Sequence, residues 1–261
     1  MKNTCQTGVN KGGIMIVLGI DIGGSATKGA LVDTETGKLV SERIRHKSDK
    51  TKKPKEIVKD IRNIAKELNY SGIIGAGFPG IVKNGVIGTS VNLHKDWVGA
   101  NLAKMIEDQM GHKAFVLNDA DSAGLAEMRF GTEEAQNASV IMFLTIGTGI
   151  GTALFVEGKL LQNTELGHMS LGKYTVEEHS SAAVKSREKL TWKQWAVRFN
   201  EGLKAYEFLL SPDLFILGGG ISSRFEKYSK YLTVETKVIP AKLENLAGII
   251  GAAVAAQEKL I

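Results

Sequence analysis

Apolar and polar positions along this chain alternate between two periods, and the switches between them mark out the expected elements. A short apolar run, Ile16–Ile20, ends in Asp21 and a glycine pair, as a buried strand running into a tight turn does. Thr27–Asp33 and Lys38–Arg45 predict two more strands joined by the turn Thr34–Gly37. Ile57, Ile61, Ile64, Ala65 and Leu68 then recur at helical spacing, so a helix is predicted over Pro54–Leu68 with Pro54 at its entrance. Ile73–Gly77 predicts a buried strand before the turn signal Phe78-Pro79-Gly80, Leu102–Met110 a helix, and Ala114–Leu117 another strand. The second half repeats this layout. Ser139–Ile146 predicts a strand leading into Gly147-Thr148-Gly149-Ile150-Gly151, and Thr152–Val156 with Leu160–Gln162 a hairpin around Glu157-Gly158. Helical stretches are expected over Glu177–Arg187 and Thr191–Leu210, then a strand over Asp213–Leu217 running into Gly218-Gly219-Gly220. Asn245–Lys259, rich in alanine and glycine, predicts a closely packed closing helix.

Glycine-punctuated strand ends in both halves suggest a weak internal duplication, hence an α/β fold of two lobes with a cleft between them. The boundaries expected are a disordered leader at 1–15, a first lobe at 16–118 joined by the closing helix 246–261, and a second lobe at 119–245. A length of 261 residues suits one compact unit or two small domains. The 43% hydrophobic and 23% charged content is ordinary for a soluble globular chain. No apolar run approaches the roughly 18–20 residues of a membrane span, and no apolar signal segment opens the chain. The single cysteine excludes an intrachain disulfide or a multi-cysteine zinc site. Cytoplasm is the expected compartment.

The net charge of +5 matters less than its placement. Arg43, Arg45, Lys47, Lys50, Lys52, Lys53, Lys55, Lys59 and Arg62 face only Asp49, Glu56 and Asp60 within one stretch. Such a tract attracts polyanions, or is simply a solvated loop and helix face. It contains no aromatic residue to stack a base, which weighs against a nucleic-acid partner.

Four constellations carry candidate chemistry. In Asp21-Ile22-Gly23-Gly24-Ser25-Ala26-Thr27-Lys28, two glycines let backbone N–H groups approach an anion, Ser25 and Thr27 offer hydroxyls, Lys28 a charge, and Asp21 a ligand for Mg²⁺. A plain structural hairpin is the competing reading. Thr145, Gly147, Thr148 and Gly149 repeat the pattern in the second half. Asn118 and Asp119 end a strand where a helix begins: Asp119 is placed to accept a hydroxyl proton and Asn118 to fix a neighbouring hydroxyl. Either can equally be an N-cap. Glu165 and His168, three apart around Gly167, offer polar partners to vicinal hydroxyls; half of a metal site, or a core histidine, is the alternative.

In this order and spacing these segments, together with Gly77-Phe78-Pro79-Gly80, Gly218-Gly219-Gly220 and Pro240-Ala241-Lys242-Leu243, resemble the ROK family of sugar kinases and repressors, in particular its polyphosphate glucokinase branch, over residues 16–258. The resemblance implies an actin/hexokinase-like (ribonuclease H-like) fold and a glucose kinase using polyphosphate, ATP or both with Mg²⁺. It implies Asp119 as the base for the sugar 6-hydroxyl, Asn92, Asn118, Glu165 and His168 as sugar contacts, and Gly23, Gly24, Thr27 and Lys28 with Thr145, Gly147, Thr148 and Gly149 as two phosphate loops. Gly218, Gly219 and Gly220 would lie where the family holds the nucleoside or the distal end of the donor. A homodimer is the family tendency. Met169–Ala183 lacks the cysteines that hold zinc in many relatives, so no zinc is expected. The stretch ahead of Ile16 is too short for a helix-turn-helix, which disfavours a repressor. A kinase of another hexose (N-acetylglucosamine, mannose or fructose) and a non-catalytic sugar sensor are the alternatives. A long donor needs a basic track, with Arg43–Lys59, Lys83, Lys95 and Lys242 as candidates.

Overall fold

The computed structural model describes residues 6–7, 15–48, 51–90 and 93–260, and divides them into two units. The first comprises residues 1–126 and 246–261, the second 127–245.

Unit 1 is built on a mixed sheet. Strand β1 (Ile16–Ile22) and strand β2 (Ala26–Asp33) form an antiparallel hairpin, with Asp21 opposite Lys28 and Ile22 opposite Thr27. The strand expected over Lys38–Arg45 is two short ones instead, β3 (Lys38–Leu39) and β4 (Ile44–Lys47), both paired to β2. They part where Ser41 turns its hydroxyl onto the Leu31 N–H, a bond that replaces a ladder rung. Beyond β1 lie β5 (Ile74–Phe78) and β6 (Ala114–Asn118), all three parallel. One face of β1 presents Ile16, Leu18, Ile20 and Ile22 to helix α1 (Pro54–Glu67) and helix α2 (Leu102–Met110), forming one apolar core with Phe78 and Trp97. The other face presents Gly19, and β5 presents Gly75, to the closing helix Ala247–Leu260. A Cβ at either glycine would collide with the Ile249 or Ala252 carbonyl, which accounts for the small residues here. Gln6–Thr7, inside the expected leader, pair parallel with Tyr70–Ser71; the rest of residues 1–14 lies outside the described residues.

Helix α3 (Asp119–Phe130) begins without a break at the end of β6, so the division falls between Ala126 and Glu127 rather than at residue 118. Its first turns are held in unit 1: Ser122 Oγ donates to the Gly248 carbonyl at 2.7 Å, and Gly251 lies so close to the Ser122 carbonyl that no side chain fits.

Unit 2 carries a five-stranded sheet. Strand β7 (Val140–Ile146) and strand β8 (Ile150–Val156) form an antiparallel hairpin extended by β9 (Lys159–Leu161). The expected helix over Glu177–Arg187 is two, α4 (Val176–Ser180) and α5 (Ala182–Arg187), because Ser181 leaves helical geometry to cap the second. Helix α6 (Trp192–Leu210) follows a capping box of Thr191 and Gln194. Strand β10 (Leu214–Gly218) and strand β11 (Lys237–Pro240) complete the sheet, parallel to β7. Met142, Leu144, Trp195, Phe199 and Tyr206 form the centre of its core. Each unit is thus a glycine-turned hairpin with two parallel strands added beyond its first strand.

Candidate active site

In unit 1 the candidate groups gather at one end of the sheet. The β1–β2 hairpin turns through Gly23–Ser25, closed by Gly23 N–H donating to the Ala26 carbonyl at 2.9 Å. Lys28 Nζ lies 2.8 Å from Asp21 Oδ2, both partly exposed. The register places Asp21 beside Gly77, and Gly77 beside Leu117, so Asp119 sits at the same sheet end two strands over, on the order of 10 Å away. Thr27, expected to offer its hydroxyl to the donor's phosphates, points instead into the α1 face of the sheet, opposite Ile22, and is fully buried. Strand parity decides this: Lys28 and Thr27 take opposite faces.

The Asn118-Asp119 pair divides its roles. Asn118 is the cap: its Oδ1 accepts from Ala120 N–H at 2.8 Å and Asp121 N–H at 3.0 Å, and its Nδ2 donates to the Gly80 carbonyl at 3.2 Å. Asp119 occupies the first helical position, half-buried, with Oδ1 accepting from Ala120 N–H. Its carboxylate therefore stands at the positive end of the helix. Asp121, two residues further in, is fully buried. Asn92 lies outside the described residues.

In unit 2 the second loop is held by a residue the sequence reading missed. Glu177, in the first turn of α4, accepts the Ile150 N–H at 2.7 Å, and its carboxylate occupies the space a Cβ on Gly149 would need. The loop is closed by Gly147 N–H to the Gly149 carbonyl and tied to α5 by Ala183 N–H to the Gly147 carbonyl. Thr148 is exposed and Thr145 half-buried. Thr145 pairs with Gly218 on β10, so Gly218–Gly220 leave the sheet at the same end as this loop. Gly219, at φ +78°, packs against the Ile146 backbone too closely for a side chain.

Glu165 and His168 flank a short 3₁₀ turn. A Cβ on Gly167 would strike the Ile150 carbonyl, Thr152 Oγ1 accepts the Leu166 N–H, and Tyr206 OH donates to the Leu166 carbonyl at 2.7 Å. His168 is exposed, not a core histidine. Burial pushes the Glu165 carboxyl above its ordinary value; His168 pulls it back and Glu177 adds to the rise. The only warning of Glu177 in the sequence was its place as an acidic residue opening a helix.

Among the described residues no group of three His, Cys, Asp or Glu comes together to hold a metal. Mg²⁺ does not need such a cage, since it is held through one or two carboxylates plus substrate phosphates. Asp21, at the hairpin's edge and already bound to a cation, fits that part.

The profile of the ROK family matches residues 17–182. The polyphosphate glucokinase of Mycobacterium tuberculosis is 41% identical over 238 residues, spanning 91% of this chain and 89% of that protein. The chain belongs to the ROK family. Among solved structures, an inorganic polyphosphate/ATP-glucomannokinase from Arthrobacter sp. strain KM superposes with a TM-score of 0.88 at 37% identity, covering 94% of this chain and 99% of that one. A ROK glucokinase from Streptomyces griseus, in complex with glucose and AMPPNP, shares the fold at 22% identity and a TM-score of 0.77 over 93% and 99% of the two chains. The fold of this ROK protein is the α/β actin/hexokinase-like one.

Proposed function

We propose that this ROK protein is a polyphosphate glucokinase, transferring a phosphoryl group from inorganic polyphosphate or ATP to the 6-hydroxyl of glucose. The observation that carries the reading is the likeness, along nearly the whole chain, to the M. tuberculosis polyphosphate glucokinase. Asp119 accepts the hydroxyl proton as the sugar oxygen attacks phosphorus and the bond to the rest of the donor breaks. Asn118 holds the start of α3, and so the Asp119 carboxylate, in place. Glu165 accepts from sugar hydroxyls and His168 binds beside it. The backbone N–H groups of Gly23–Ser25 and of Thr148 receive phosphate oxygens, and Gly218–Gly220 the nucleoside end when ATP is the donor. Asp21 is the residue that would hold Mg²⁺, which when bound neutralises charge building on the transferred group. No described helix is long and apolar enough to cross a membrane. A homodimer belongs to the reading, supported by Phe208, 87% exposed, and Leu209 at the end of α6; light scattering on the purified chain tests it.

The test of function is glucose 6-phosphate formation by the purified chain with Mg²⁺, using polyphosphate and ATP in parallel. Product with polyphosphate is expected. Silence with both donors, while glucose still binds, overturns the reading.

A further inference from the structure

The basic tract does not act as a whole; the fold sorts its members by strand parity. On β4, Ile44 packs against the unit 1 core, and His46 turns toward α1, with Nε2 2.7 Å from Glu67 Oε1 and Nδ1 3.6 Å from Asp60 Oδ1. Among the described residues, the carboxylates paired with β4 are therefore on its inner face. Arg45 and Lys47 take the other face and are exposed. The antiparallel register sets Arg45 directly opposite Lys28, and Lys47 opposite Ala26. Directly opposed residues project from the same side of a sheet, so Lys28, Arg45 and Lys47 share one surface with Asp21. Among the described residues only Lys28 has a carboxylate partner in this group, and that partner is Asp21.

Two cations opposed across strands destabilise a sheet, and among the described residues no acid pairs with Arg45 to balance them. The same strand is fastened to the glycine loop: Ser48 N–H donates to the Ser25 carbonyl at 3.1 Å, and Ser48 Oγ to the Gly23 carbonyl at 3.4 Å. Lys47 thus starts beside the loop, and Arg45 continues away from it by about 7 Å, the rise of two strand residues. Arg43, exposed in the segment before the strand, lies further on. No Phe, Tyr or Trp occurs in this run to stack a base, and the His46 ring is held on the inner face.

We infer that the outer face of β4, carrying Lys47 and Arg45, together with Arg43 just before it, is a binding track for the distal portion of a long inorganic polyphosphate whose terminal group sits at the Gly23–Ser25 loop. The inference rests on the proposed phosphoryl transfer for the position of that terminal group. A row of cations with no stacking surface suits a chain of phosphates. Lys55 and Lys59 of the same tract sit on α1 with Glu56 3.9 Å from Lys59, and take no part.

The test compares the full-length chain with its R45Q/K47Q variant, measuring kinetics with long-chain polyphosphate and with ATP, and direct binding of fluorescently labelled polyphosphate across a salt series. The double variant is expected to raise the polyphosphate KM by about tenfold or more and to flatten its salt dependence, because each lost phosphate contact lowers that slope. The KM for ATP is expected to move by less than about threefold, since three phosphates end short of a track of this length. The charge-preserving R45K/K47R variant is expected to recover most of the polyphosphate affinity. An unchanged polyphosphate KM, or an equal loss with both donors, overturns the track. Wild-type chain that phosphorylates glucose with ATP but does not bind labelled polyphosphate overturns the track and leaves the kinase standing. Polyphosphate binding that is lost in R45Q/K47Q, in a chain that transfers nothing to glucose, supports the track and overturns the kinase.

Discussion

The hairpin of unit 1 and the hairpin of unit 2 have the same construction and different chemistry. Asp21-Ile22-Gly23 occupies in the first sheet the place of Thr145-Ile146-Gly147 in the second, and Lys28, opposite Asp21, the place of Gly151, opposite Thr145. In both units the next strand, β3 or β9, pairs only with the far end of the hairpin's second strand, but unit 1 adds β4, which borders the turn and carries cations. The second turn is bordered instead by the Glu177 carboxylate. The last parallel strand differs in the same way. After β6 comes Asp119; after β11 comes Ala241-Lys242, whose following backbone N–H groups are received by the buried carboxylate of Glu127. Equivalent topology therefore yields one sheet end with exposed charge and one whose carboxylates bind backbone. Sheet geometry supplies open amides at a strand end, while the side chains on flanking elements decide what the amides are used for.

The largest break in this comparison comes from the residues after the last strand. Asp119→Asn is expected to lower kcat by about 10²–10⁴-fold, the range a general base supplies. Glucose KM and thermal stability should hold, because Asn118 provides the cap; steady-state kinetics and a melting curve check both. The unit 2 counterpart should behave in the opposite sense. Glu127→Ala strands the Lys242 and Leu243 N–H groups and is expected to cost about 3 kcal/mol of stability, near the upper range for unsatisfied buried donors. Chemical denaturation reads it.

A smaller effect separates the two glycines of the second loop. Gly149→Ala forces Glu177 away from the Ile150 N–H and is expected to reduce kcat/KM by about tenfold, the scale of a displaced phosphate-binding loop. Gly147→Ala adds a Cβ that meets nothing within 4 Å, so its melting midpoint should match the wild type. A lowered midpoint for Gly147→Ala and not for Gly149→Ala would reverse the assignment.

The smallest effect is one of pH. Burial, with Glu177 adding to it, raises the Glu165 carboxyl above its ordinary value of 4.5. A group raised in the folded state holds its proton more tightly there than in the unfolded chain. Its contribution to stability is therefore greatest at low pH and declines as pH rises from about 4.5 through the folded value. The charged form accepts sugar hydroxyls, so glucose KM should climb as pH falls through that window, starting above 4.5. Glu165→Gln is expected to flatten both dependences, seen in KM profiles and in melting curves from pH 4.5 to 7.

Much of this molecule was legible along the chain. The apolar periods located α2 to the residue and most strands to within one or two positions, because a strand buried on one face or two has few ways to pattern itself. The order of the glycine turns carried the family. Two misreadings fell where a local hydrogen bond overrode the pattern, Ser41 splitting one strand and Ser181 splitting one helix, while the short edge strand Lys237–Pro240 was not expected. The Asn118-Asp119 ambiguity was real in one dimension, since both residue types cap helices; only the contacts of Asn118 Oδ1 with Ala120 and Asp121 assign the cap to Asn118.

What the sequence determined by itself is the set of elements and the chemistry each brings, since propensity, period and turn residues act over a few neighbours. What only the tertiary structure decided is which side chains share a face. Thr27 and Lys28 are adjacent in the chain, yet one is buried against Ile22 and the other stands with Asp21 and Arg45. Glu177 lies 27 residues from Ile150 and binds its amide. Strand register and parity set these meetings, and register is a property of two segments together, fixed by the core they bury between them.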